Sequence, residues 1–128
     1  MSIHLTFRGD LIVVTAHGVS SYEEVTGTFD RIVSSPMFKP PARILFDGRY
    51  TDYGPPAEEL RSFARHLDGI EAFTGSRWAI LARPASLVFG LARLFCGHAQ
   101  SAGFRAEPFS DFLEACAWLL RPGALLPG

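Results

Sequence analysis

Two carboxylates, one guanidinium, two phenols and a hydroxyl fall within the stretch Asp47-Gly48-Arg49-Tyr50-Thr51-Asp52-Tyr53. Paired carboxylates can share a proton or hold a cation. Asp47 and Asp52 have no third acidic or histidine ligand beside them, so a metal centre is not expected here. Two readings remain open. In one, Asp47 caps a turn and Asp52 is solvated, with Tyr50 and Tyr53 packed over a sheet edge. In the other, Arg49, Tyr50 and Tyr53 form a recognition surface, because exposed Tyr and Arg are favoured interface anchors. Thr51 adds a hydroxyl to that surface.

A second candidate is Arg83-Pro84-Ala85-Ser86. A helix that starts there presents free N–H groups and roughly half a positive charge, which with Arg83 and Ser86 suits a carboxylate or phosphate. The alternative is a capped helix with Arg83 paired to a nearby acid. The Gly-rich turn and lysine of a P-loop are missing. Further along, Phe89 and Phe95 belong to a stretch that is apolar nearly all round. Burial under neighbouring helices, a homodimer contact and the wall of an apolar-ligand pocket all fit that pattern.

Other chemistry is sparse. His4, His17, His66 and His98 are scattered, with no pair at ligand spacing. No serine sits in a Gly-x-Ser-x-Gly elbow, and Cys96 lacks the surroundings of an activated nucleophile. Cys96 and Cys116 match no zinc or redox spacing and read as reduced thiols of a cytoplasmic protein. No catalytic residue, metal or cofactor is therefore assigned.

These groups need elements to position them. Ile3, Leu5 and Phe7 alternate with polar residues, so residues 3–8 read as a strand. Gly9-Asp10 signals a hairpin, and residues 11–17 form a second strand. Ser20 with Glu23, or Ser21 with Glu24, makes a capping box for a helix that Pro36 stops. A third strand runs over 42–47, and the 47–54 loop follows. Pro55 and Pro56 then open a helix whose buried stripe is Leu60, Phe63, Ala64 and Leu67. A fourth strand covers 77–82, and Pro84 opens a long helix reaching about Ala102, closed by Gly103. The fifth strand is 104–109. Ser110 caps a last helix whose apolar face is Phe112, Leu113, Cys116, Ala117 and Leu120. The order β-β-α-β-α-β-α-β-α predicts an α/β domain with a mixed, mostly parallel five-stranded sheet and four helices. Residues 1–128 make one domain, with a core over 3–121 and a loose tail at 122–128.

Composition narrows the function class. A net charge of −1 argues against a nucleic-acid binder and against an electrostatic membrane anchor. No apolar run approaches the roughly 20 residues a membrane span needs. Lys39 is the lone lysine, so any basic site here offers the planar fork of arginine.

The element order resembles that of the STAS domain of bacterial anti-sigma-factor antagonists, and more closely the STAS-like single-domain proteins. Three patterns carry the resemblance: Ile44-Leu45-Phe46-Asp47 with its loop; Trp78-Ala79-Ile80-Leu81-Ala82 followed by Phe89-Gly90-Leu91-Ala92-Arg93-Leu94-Phe95; and Glu107-Pro108-Phe109 leading into Glu114-Ala115-Cys116-Ala117-Trp118-Leu119. The architecture is also similar to that of CRAL-TRIO lipid-transfer domains. The STAS resemblance implies a phosphorylatable Ser or Thr where the helix after the third strand begins. This chain has Gly54-Pro55-Pro56-Ala57 there, so the nearest hydroxyl is Thr51. The expectation is a non-enzymatic module that binds a protein partner or small anion at a rim of residues 47–54 and 83–86. The alternatives are a carrier of a small apolar ligand or lipid, and a hydrolase without a recognisable motif.

Overall fold

The computed structural model describes residues 2–8, 11–18, 21–39, 41–51, 56–70, 73, 75–99 and 104–121. The expected Gly9-Asp10 turn, the Ser20 cap, Asp52, Tyr53, the helix stop at Gly103 and the tail at 122–128 lie outside the described residues.

Nine elements follow in the predicted order: β1 (Ser2–Arg8), β2 (Leu11–Gly18), α1 (Tyr22–Ser34), β3 (Arg43–Thr51), α2 (Ala57–Asp68), β4 (Arg77–Leu81), α3 (Leu87–Ala99), β5 (Arg105–Phe109) and α4 (Phe112–Leu120). The strands lie side by side in chain order, with β1 antiparallel to β2 and every later pair parallel. Right-handed crossovers between neighbours in that order place α1, α2 and α3 on one face. The last helix, α4, returns across the other face.

Each layer has its own core. On the three-helix face, Val14, Phe29, Ile32, Ile44, Leu67 and Trp78 are fully buried. Trp78 sits among rings: Phe29 at 4.8 Å, Phe104 at 5.3 Å and Phe73 at 5.4 Å between centroids. Its indole N–H donates to the Ser76 hydroxyl at 2.7 Å, so burial leaves no polar orphan on the ring. The α4 face carries a smaller cluster of Leu45, Ala79, Leu81, Ala115 and Leu119. Cys96 and Cys116 are free thiols, one packed in each cluster.

Local chemistry sets the boundaries. Ser21 and Glu24 form a reciprocal capping box at the start of α1. Four boundaries or faces differ from the sequence reading. First, β3 does not stop at Asp47; Tyr50 and Thr51 pair with His17 and Gly18, so most of the expected loop is strand. Second, α3 begins at Leu87 rather than Pro84, because Ala85 takes a left-handed φ of 57° and Ser86 accepts from the Phe89 N–H as the cap. Third, Asp111 rather than Ser110 caps α4, its carboxylate accepting from the Glu114 N–H at 2.9 Å. Fourth, α4 buries Ala115 and Leu119, while Phe112, Leu113 and Leu120 are exposed. Among the described residues no helix is long and apolar enough to cross a membrane.

Candidate functional site

Asp47 lies near the carboxyl end of β3 and is almost fully buried. Its carboxylate is committed to Arg49. One oxygen accepts from the Arg49 main-chain N–H at 3.1 Å and from Nε at 3.0 Å. The other accepts from Nη2 at 2.9 Å. A bidentate pair closed over two residues holds the guanidinium in one orientation. The pair raises the Arg49 pKa above its ordinary value, chiefly through the side-chain hydrogen bond. With both oxygens occupied, Asp47 is an orienting group rather than a cation ligand.

The guanidinium faces two rings, with its central carbon 5.2 Å from the Tyr50 ring centroid and 5.7 Å from that of Phe112 on α4. Tyr50 is 54% exposed. It stacks on His17 at 5.5 Å and 9°, and His17 meets His4 edge-on at 5.6 Å. A strip of four rings and one cation thus runs from β1 to α4.

A bulge makes this possible. Thr15 pairs with Asp47 but His17 pairs with Tyr50, so β3 advances three residues where β2 advances two. Regular alternation would turn Tyr50 to the face opposite Asp47; the extra residue re-aims it beside His17. Gly48 lies in this segment for a steric reason. A Cβ there would lie 3.3 Å from the Leu81 carbonyl oxygen and 3.5 Å from Val88 Cγ1. That close approach also ties the end of β3 to the end of β4 and the start of α3.

The remaining sequence candidates fall out unevenly. Thr51 is 3% exposed and its hydroxyl donates to the Gly18 carbonyl at 2.6 Å, so it closes the β2–β3 end rather than facing solvent. Arg83 is exposed and, among the described residues, forms no ion pair. The Ser86 hydroxyl is already used twice, donating to the Arg83 carbonyl at 2.7 Å and accepting from Phe89 N–H at 3.1 Å. Asp52 and Tyr53 lie outside the described residues. His17 and Phe112 were missed by sequence reasoning. His17 is remote in sequence and Phe112 was assigned to a buried face.

On the three-helix side, Phe29, Phe46, Phe63, Trp78, Leu91 and Phe95 line an apolar pocket of about 100 Å³. Phe95 is one of its walls; Phe89 is half-buried and is not. Among the described residues no group of three or more His, Cys, Asp or Glu side chains could hold a metal ion.

No protein-family model and no curated protein matches this sequence. Solved structures do match the fold. One is an uncharacterised protein of the DUF3478 family with a SpoIIAA-like fold from Shewanella loihica, 19% identical over 92% of each chain, with a TM-score of 0.58. Another is the anti-sigma factor antagonist SpoIIAA in its unphosphorylated form, 12% identical over 92% of this chain and 96% of that one, with a TM-score of 0.53. With a five-stranded mixed sheet, three helices on one face and one on the other, the chain has the STAS-like fold of SpoIIAA.

Proposed function

We propose that this protein is a non-enzymatic recognition module that binds a protein partner through the surface at the end of β3. The observation that carries the reading is Arg49, held by a buried carboxylate and displayed between Tyr50 and Phe112. Pre-oriented Arg and Tyr side chains lose little freedom on binding, which is why they recur as interface anchors. Arg83, two residues past the end of the neighbouring β4, would extend the rim. The likeness in fold to an anti-sigma factor antagonist supports a regulatory, protein-binding role over catalysis. The segment Gly54-Pro55-Pro56-Ala57 carries no hydroxyl, and Thr51 is buried. Recognition here is therefore constitutive rather than switched by phosphate at the start of α2. Quantitative pull-down from a native lysate tests the reading with the wild-type chain and Arg49→Ala/Tyr50→Ala as baits. The expected result is a protein enriched on the wild type and lost from the variant. Equal recovery on both baits overturns the assignment.

The pocket beside Phe95 favours a second reading, a site for a small apolar ligand. An apolar cavity of about 150 Å³ takes a benzene ring. A pocket of about 100 Å³ therefore suits one small ring or a chain end, and not a whole lipid. Ala92→Leu should fill it. Loss of saturable binding of a small aromatic probe in that variant supports the reading, and no binding to the wild type removes it.

A further inference from the structure

Three arginines open three neighbouring strands. Arg43, Arg77 and Arg105 are register partners across β3, β4 and β5, so the pleat sends their side chains to one face, the α4 face. Arg121 directly follows α4. Four of the twelve basic residues of a chain with net charge −1 thus gather at one corner, at the strand ends opposite the Asp47–Arg83 rim.

Arg77 is the centre of the group and is 1% exposed. Its guanidinium donates to the carbonyls of Trp118, Leu119 and Arg121 and lies 4.5 Å from the Trp118 ring centroid. Those carbonyls carry only about half a negative charge between them. Its buried Nε has no hydrogen-bond partner. Among the described residues, none of Arg43, Arg77 and Arg121 forms an ion pair. Burial first, and then repulsion from Arg43, Arg105 and Arg121, holds the Arg77 pKa below its ordinary value. Like charges directly across strands destabilise a sheet, and a buried cation without an anion is costly. An anion bound at this corner would offset that repulsion.

We propose that this corner binds a phosphoryl group, with the half-buried Arg43 and the exposed Arg121 as its direct contacts, Arg105 beside them and Arg77 as a fixed charge behind. A carboxylate brings one charge and two oxygens. A phosphoryl group brings about −1.5 to −2 charges and three acceptor oxygens, enough to serve forks arriving from separate elements. The group comes either from a soluble phosphate or phosphomonoester or from an anionic lipid headgroup. This site is separate from the partner-binding surface and does not depend on it.

The test titrates inorganic phosphate into the full chain at constant ionic strength, followed by amide NMR, and repeats it with Arg43→Gln/Arg121→Gln. Saturable shifts around residues 43, 77, 105 and 118–121, weakened at least tenfold in the variant, are expected. In parallel, the chain is sedimented with phosphatidylcholine vesicles with and without phosphatidic acid. Binding to the phosphatidic acid vesicles alone, lost in the variant, assigns the headgroup as the source. The unliganded variant should melt no lower than wild type, because it loses repulsion; if it does melt lower, the single Arg121→Gln carries the comparison. Absence of both phosphate and vesicle binding, or binding unchanged in the variants, overturns the proposal.

Discussion

At the scale of single residues, the site rests on side chains whose freedom has been removed. Arg49 has three hydrogen bonds to one carboxylate, and Gly48 is the residue that lets β3 pass close to β4. Gly48→Ala would press a methyl against the Leu81 carbonyl, a backbone atom that cannot swing away. Overpacking of this kind costs about 1–3 kcal/mol, so thermal denaturation followed by circular dichroism should show a clearly lowered midpoint. Cys96 gives a pH test. Burial, and then the charge of Glu107, pushes its thiol pKa up to about 12 from the ordinary 9.0. The folded chain keeps a proton that the unfolded chain releases. The stability linked to this group is full below about pH 9 and falls as pH rises from there toward about 12. In Cys96→Ala, the loss of stability measured by denaturant titration over that range should be shallower than in wild type.

At the scale of elements, α4 is the most instructive. Its sequence is apolar nearly all round, so periodicity could not pick its buried side. The structure buries Ala115 because the helix lies close against Leu45 and Ala79, leaving room for a small residue, with Leu119 one turn on. Leu119→Ala should cost about 2–5 kcal/mol in a urea titration. Leu113→Ala, at a residue 73% exposed, should stay within about 0.5 kcal/mol. The strand and helix order was legible because alternation and helical spacing report burial directly. The Asp47–Arg49 pairing is a local matter of two residues on one strand and sits where the sequence placed a candidate site. The contribution of Tyr50 was legible as a residue type but not as a geometry, since it depends on a bulge that alternation hides. The His4–His17–Tyr50 contacts join three strands that only tertiary structure brings together. The arginines at the starts of β3, β4 and β5 were visible as residues, yet their register is a property of the sheet.

At the scale of the whole molecule, the parallel strands give the protein two chemically different ends. Their carboxyl ends carry the ring-and-guanidinium surface, and their amino ends carry the arginine corner. The sheet between them is packed on both faces, so each end is held on a rigid support. The structure therefore displays preformed surfaces and, in the Asp47–Arg49 pair, spends a buried carboxylate on orientation. The central claim, recognition through the end of β3, is tested most directly by isothermal titration of the protein captured by the wild-type bait against wild type and Arg49→Ala/Tyr50→Ala. Loss of two central anchors should weaken binding by at least tenfold, with the melting midpoint of the variant little changed. An affinity within twofold of wild type in a folded variant, or no protein captured by the wild-type chain at all, would contradict the account.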